Sequence, residues 1–312
     1  MNEYRFERLN NYNLKDLIYL YKHSFNEITD IHFIEKKYAT EAFGLKYTGY
    51  IAYSVNNSEP AAYYGVFPIK VKYQNKEYLA AQSGDTMTHP NHRGKGLFIT
   101  LAKMTYDLSK QEGVSFVFGF PNENSYPGFV KKLDWNHYAD INNYKIKTGA
   151  LPLEKLAKKY SVFKPLHNRI IQKTLKPLIT EEVFYNSMEK QGDYGFVIHD
   201  SNYRNYKTYY SNYILNLNGV KCWIKIDGRL WVGDIEFCNE KKFKETVNAL
   251  LLLAKKIHCS TIHFSVFENS LYDKYLSEYA KPYYKNAVGC LNLNPLTNGE
   301  LYAYQSSDFD TF

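Results

Sequence analysis

The sequence is short of the features that would tie it to a disulfide framework, a metal or a bilayer. Its four cysteines, Cys222, Cys238, Cys259 and Cys290, form no CxxC pair, so zinc-finger and thioredoxin-type chemistry find no support. All four lie on apolar stretches, where buried, reduced thiols are expected. No metal is expected. The longest purely aliphatic run, Ala249 to Ala254, is far too short to span a bilayer. The opening MNEYRFERLN is charged and has no apolar centre, so no secretory signal is expected. The expectation is a soluble cytoplasmic protein with no membrane partner. Strong charge is lacking too. With 39 Lys+Arg against 32 Asp+Glu, the net charge is +7. That excess attracts a polyanionic small molecule but does not argue for nucleic acid. A GxxxxGK[ST] phosphate loop is absent.

What is present is a folded chain of 312 residues, 45% hydrophobic and rich in Tyr (31) and Phe (19), long enough for two ordinary domains. Residues 4–9 alternate as a strand. Asn13 is placed to cap a helix carrying Leu14, Leu17, Ile18, Tyr21 and Phe25 on one face, and a short helix from Asp30 follows. Strands are expected at 49–55, 61–73 and 78–88, joined by turns at 56–60 and 74–76, which makes an antiparallel meander. A helix from Leu97 to about Gln111 presents Leu97, Leu101, Met104 and Leu108. An apolar strand at 115–120, a helical segment near 124–133 and strands after 137 complete this half.

From Lys155 to Lys176 there are seven Lys/Arg and no acid, which reads as a basic connector. The second half then repeats the order of the first. A strand at 194–199 precedes a helix near 201–212. Strands at 213–217, 220–226 and 229–237 turn at Asn218-Gly219 and Asp227-Gly228. A helix at 240–257, a strand at 261–267, a helix near 270–279 and a strand near 287–293 follow. We read an internal structural duplication.

The strongest chemical signal is the segment His89-Pro90-Asn91-His92-Arg93-Gly94-Lys95-Gly96 between a strand and a helix. Two glycines feeding a helix start present free backbone N–H groups at the positive end of the helix dipole, an anion site suited to a pyrophosphate. Arg93 and Lys95 add charge. A dinucleotide-binding fingerprint needs a parallel βαβ unit, and the preceding strands here read as antiparallel.

The segment Thr88 to Leu97 resembles motif A of the GCN5-related N-acetyltransferases, with Arg93 and Gly96 at the pattern's fixed positions. Phe98 stands where a small residue is usual and resembles the tandem-domain branch that includes the enhanced-intracellular-survival type aminoglycoside acetyltransferases. Residues Phe120 to Trp135 look like motif B. The resemblance implies an α/β (α+β) fold with mixed, mostly antiparallel sheets flanked by helices. It implies a catalytic domain at 1–150, the basic connector at 151–190 and a second, degenerate domain at 191–312. It also implies an acyl-CoA donor, acetyl-CoA or another, whose pyrophosphate meets Arg93, Gly94, Lys95, Gly96, Leu97 and Phe98. The pantetheine would enter between strands 84–88 and 115–120, against the backbone of Thr86, Met87 and Thr88, with Asn122 or Asn124 near the sulfur. The acceptor would be the amine of a small molecule, with an amino sugar favoured.

For proton transfer the resemblance points to a tyrosine at the position of Val130, which carries no proton to give. Tyr126, one helical turn earlier, is the candidate acid, or else a ring packed under Pro127-Gly128. Asp85 is a candidate base, or a side chain bonded within the sheet. The terminal carboxylate of Phe312 is a third candidate, or the end of a frayed tail. His258 and His263 read as satisfied core residues. Asp200, Tyr206, Tyr209, Tyr210 and Asp234 are possible acceptor contacts. At the equivalent junction of the second half, Glu236 to Lys241 has no glycine and two acids, so loss of acyl-CoA binding is expected there. Two other classes stand beside the enzyme: a non-catalytic acyl-CoA sensor, and a FemAB-like transferase using aminoacyl-tRNA.

Overall fold

A computed structural model describes residues 3–312. In chain order the elements are β1 (Tyr4–Arg8), α1 (Asp16–Phe25), α2 (Ile31–Lys37), β2 (Gly49–Ser54), β3 (Pro60–Tyr73), β4 (Lys76–Thr88), α3 (Leu97–Gln111), β5 (Phe116–Gly119), α4 (Tyr126–Lys132) and β6 (Asn136–Lys147). They continue as α5 (Leu153–Lys159), α6 (Lys164–Leu175), β7 (Phe196–Val197), α7 (Ser201–Tyr206), β8 (Asn212–Leu217), β9 (Val220–Ile226), β10 (Leu230–Ile235), α8 (Glu240–Lys256), β11 (Thr261–Phe267), α9 (Leu271–Ser277) and β12 (Tyr284–Asn292). The fold is mixed α/β, as expected.

The chain forms two compact units. Unit 1 holds Met1–Tyr138, Asn202–Tyr209 and Ala287–Leu301, and unit 2 holds Ala139–Ser201, Tyr210–Asn286 and Tyr302–Phe312. The units are therefore not contiguous stretches of chain, unlike the linear division into 1–150, 151–190 and 191–312.

Unit 1 is a sheet in the order β1-β2-β3-β4-β5-β12. Pairing is antiparallel from β1 through β4, parallel between β4 and β5, and antiparallel between β5 and β12. The β3–β4 turn places Gln74 and Asn75 at φ 47° and 63°, the left-handed pair that fits the twist of a tight hairpin. One face is covered by α3, whose Leu97, Leu101 and Ala102 pack on Ala61, Ala62, Val66 and Val117. The other is covered by α1 and α2, with Leu17, Leu20 and Ile34 against Ile51, Phe67 and Met87. The buried face of α3 also takes in Thr105, Tyr106 and Ser109, while Met104 is half-exposed. The expected stripe is thus turned toward polar residues. Asn13 does not cap α1. Its carboxamide instead accepts from the Asn10 amide at 2.7 Å, and the helix begins at Asp16.

Unit 2 has the order β6-β11-β10-β9-β8, parallel between β10 and β11 and otherwise antiparallel. Its core sets Phe243, Val247 and Leu250 of α8 against Ile224, Val232 and Ile262. The basic 155–176 segment is built into this unit. It forms α5 and α6, whose Ile171 and Leu175 join the core while the lysines stay exposed. In both units a three-strand meander leads to a long helix, a parallel strand and a short helix. The strand that would finish each half lies in the other unit. Most of β6 pairs with β11 in unit 2, and the end of β12 pairs with β5 in unit 1.

Candidate functional site

The site of interest in unit 1 begins where β4 departs from both neighbours. On the β3 side, Gly65 faces Gly84 but Tyr63 faces Met87. Tyr64 therefore opposes two residues, Asp85 and Thr86, which is a β-bulge. Asp85 takes it up at φ 52°, a conformation that aspartate tolerates better than most residues. On the β5 side, the parallel pairing runs through Ala81↔Val117 and Gln82↔Phe118, while β4 continues to Thr88. The two strands part at Ser83 and Gly119.

The bulge is held from the α1/α2 face. Lys37 Nζ lies 2.6 Å from Asp85 Oδ1, with side-chain exposures of 2% and 5%, so this is a buried ion pair. The Tyr38 hydroxyl donates to Oδ2 at 2.9 Å, and Lys37 also meets the Tyr21 oxygen at 3.3 Å. Burial, then the Asp85 carboxylate, raises the Tyr38 and Tyr21 phenols well above their usual range. Both therefore remain donors. Asp85 thus has both carboxylate oxygens engaged within the fold.

Beyond Thr88 the chain makes a short 3-10 turn at Pro90–His92, pinned by the Asn91 amide donating to His89 Nδ1. Arg93, Gly94, Lys95 and Gly96 are exposed. Gly94 and Gly96 both sit at φ 76°. A Cβ at either would meet open space, so glycine is required there by backbone conformation and not by crowding. Gly96 caps α3 without any side-chain hydrogen bond, and its carbonyl accepts from the Thr100 amide at 3.1 Å. The amides of the first turn, from Leu97 and Phe98 onward, precede any intrahelical acceptor. Together with the macrodipole they make this end of the helix electropositive.

A row of rings lines the approach. Tyr19 stacks on His23 at 4.2 Å, His23 lies 4.9 Å from His89, and the Tyr4 hydroxyl meets His92 Nδ1 at 2.9 Å. Burial first, then His23, lowers the His89 imidazole's pKa.

Phe98 is a packing residue. It sits edge-on to Phe129 at 5.2 Å, and a Cβ on Gly128 would come within 2.7 Å of its ring. The bulk missing at 128 is supplied from 98. Asn122 is a turn residue: its Oδ1 accepts from the Asn124 and Ser125 amides at 3.0 and 3.1 Å and its carbonyl from the Tyr126 amide at 2.8 Å. Asn124 is exposed. Tyr126 opens α4, and its hydroxyl meets His137 Nδ1 at 2.9 Å. Val130 lies one turn further on the same helix.

Phe312 belongs to unit 2, and the tail there is anchored rather than frayed. Its ring is 3% exposed and edge-on to Trp223 at 5.6 Å. It fills the place a Cβ on Gly233 would need. Gln305 bridges Val266, the Ser306 hydroxyl accepts from the Ser265 amide at 3.0 Å, and Asp308 meets His199 Nε2 at 2.8 Å. Asp234 lies in this same buried cluster, its pKa raised to about 6 by burial against the opposing pull of His199. Asp200 and Tyr210 also fall in unit 2, whereas Tyr206 and Tyr209 fall in unit 1 beside α2. His263 is buried between Thr261 and Tyr283, both at 3.2 Å, and His258 is half-buried in the turn after α8. All four cysteines are buried and free. Among the described residues no helix is long and apolar enough to cross a membrane, and no group of three or more His, Cys, Asp or Glu is arranged to hold a metal.

Sequence reading missed the Lys37–Asp85 pair, the bulge and a buried hydroxyl chain running from Trp135 to Ser83. Gly84-Asp85 inside a strand was the available signal for the bulge, since glycine in a strand interior marks such irregularities.

Residues 8–138 match the family model described as an acetyltransferase (GNAT) domain. No curated protein matches. Solved structures share the fold. A probable N-acyltransferase from Enterococcus faecalis aligns at 14% identity and TM-score 0.59 over 93% of this chain and 73% of that one. A GCN5-related N-acetyltransferase from Kribbella flavida gives 11% and 0.58 over 93% and 72%. N-myristoyltransferase from Saccharomyces cerevisiae with bound myristoyl-CoA gives 9% and 0.57 over 94% and 83%. A model of a GNAT acetyltransferase domain thus matches residues 8–138, and the fold is shared with solved N-acyltransferase structures.

Proposed function

We propose that the protein transfers an acetyl or other short acyl group from acyl-CoA to the primary amine of a small acceptor, by direct attack on the thioester. The observation that carries this is the uncapped N-terminus of α3, entered through two left-handed glycines from a strand that has just parted from its neighbour. The loop Arg93–Phe98 would hold the pyrophosphate. The pantetheine would lie along Thr86, Met87 and Thr88, whose backbone donors would stabilise the oxyanion of the tetrahedral intermediate. We assign Asp85 to holding the bulge, since Lys37 and Tyr38 occupy its oxygens. Tyr126, paired with His137, remains the candidate acid on α4, and Asn122 acts by shaping the turn before it. The cytoplasm is the proposed setting, an amino sugar the proposed acceptor, and a tandem GNAT duplication the proposed origin of the two units. In that reading unit 2 is the copy without a cofactor site.

Calorimetry with acetyl-CoA tests the proposal. Wild type should bind, and Gly96→Trp, which puts an indole at a left-handed position in the phosphate loop, should lose at least about a hundredfold in affinity. Wild type that binds no acyl-CoA would sink it.

A further inference from the structure

A chain of four polar side chains crosses the α3 face of unit 1 and ends in the gap between β4 and β5. Trp135 Nε1–H donates to the Tyr106 hydroxyl at 3.0 Å. The Tyr106 and Tyr64 hydroxyls are 2.8 Å apart, and Tyr64 lies 2.7 Å from Ser83 Oγ. Trp135 and Tyr64 are almost fully buried, and Tyr106 is 6% exposed. Burial raises the pKa of both phenols, so each stays protonated.

The indole sets the polarity, because it can only donate. With that end fixed, the arrangement that satisfies every member is Trp135 to Tyr106, Tyr106 to Tyr64, and Tyr64 to Ser83. The Ser83 proton is then left to point onward. Chains of this kind strengthen the last donor by polarisation.

What lies onward is the gap. Ser83 follows Gln82, the last residue of β4 in register with β5. A Cβ built on Gly119, across the gap, would fall 3.4 Å from the Ser83 Cβ and 3.3 Å from the Trp135 ring. A side chain at 119 would press on both, so glycine is set there by crowding at the point where the strands part. From Thr88, where the phosphate loop begins, back to Ser83 is five residues of strand, roughly 16 Å. In the acyl-CoA reading, the pantetheine arm runs from the loop back along this strand toward Ser83.

We propose that Ser83 is a catalytic hydrogen-bond donor to the CoA sulfur, with Tyr64, Tyr106 and Trp135 as positioning residues behind it. The inference rests on the acyl-CoA reading above. In the reaction the amine nitrogen bonds to the thioester carbon and the carbon–sulfur bond breaks. The sulfur leaves as a thiolate that accepts a hydrogen bond from Ser83. The proton lost by the nitrogen balances the thiol product. This supplies a donor on the strand where Val130 withholds one on the helix.

The test needs no acceptor. CoA carrying carbon-13 on the carbon next to sulfur is bound to the full chain and titrated by NMR, because that carbon's shift follows thiol ionisation. Wild type should lower the acidity constant's pKa for bound CoA relative to free CoA. Ser83→Ala should move it back by about one unit, a tenfold change in proton affinity of the order expected for one hydrogen bond to a charged atom. The variant should still bind CoA, since the phosphate loop is untouched, so its titration can be read beside that of wild type. Tyr64→Phe keeps the ring and should give a smaller shift of the same sign. Normal CoA binding with identical titrations in all three proteins overturns the role of Ser83 alone. Failure of wild type to bind CoA overturns it together with the acyl-CoA reading.

Discussion

Each unit turns a Gly-Asp pair at the same place in its sheet, and the two corners are used in opposite ways. In unit 1, Gly84-Asp85 bulges out of β4, and the chain beyond opens into a glycine loop with an uncapped helix. In unit 2 the register slips at Gly233, between Val232 and Asp234 of β10. There the corner is filled. Phe312 covers Gly233, and Gln305 to Asp308 lie against β10 and β11. The helix that follows is closed as well. Asn239 caps α8 by accepting from the Lys242 amide at 3.0 Å, and Glu240 stands in its first turn. The same backbone device therefore stands open in one unit and is packed shut in the other, depending on the side chains put into it.

That contrast can be broken most severely from the filled side. Ending the chain at Tyr304 removes the Phe312 ring and leaves His199 buried without Asp308. We expect a loss above about 5 kcal/mol in unfolding free energy, enough to unfold unit 2 at room temperature, measured by urea titration of Trp fluorescence. A tail whose removal left the transition unmoved would show that the corner is not sealed by it. Next comes the ion pair that holds the open corner. Lys37→Met leaves Asp85 as an uncompensated buried charge and should cost about 3–5 kcal/mol. Lys37→Met with Asp85→Asn should recover part of that loss, and a double variant no better than the single one would argue against pairing as the cause. The mildest perturbation sharpens the comparison. Asn239→Ala removes a cap worth about 1 kcal/mol and should lower Tm slightly. It should leave acetyl-CoA affinity unchanged, whereas substitutions at the uncapped Gly96 should not.

How much of this was legible in the sequence depended on how local the cause was. The glycine loop, the hairpin turns and the long helices follow from residues close together in the chain, and they appear where the sequence places them. The bulge was hinted at by Gly84 but read as straight strand, since its cause is the pairing of Tyr64 with two residues. Thr105, Tyr106 and Ser109 lie outside the stripe expected of α3, yet they are buried: Thr105 donates to the Tyr64 carbonyl, Trp135 donates to Tyr106, and Ser109 donates to the Thr105 carbonyl. Nothing in the residues next to Lys37 marks it as buried. Its burial depends on Asp85, 48 residues away. Asn122 was read as a ligand contact, and in the structure its Oδ1 and carbonyl hold the turn that starts α4.

The exchange of final strands has a consequence for how the protein is made. Unit 1 closes its sheet beside β5 with residues that end at Asn292. During synthesis unit 1 must therefore wait, with an unpaired strand edge, until residues through Asn292 have left the ribosome. Neither half should fold to a native state when expressed separately. The slow step in refolding should be this long-range closure, since pairing of distant segments carries the loop entropy before any contact repays it.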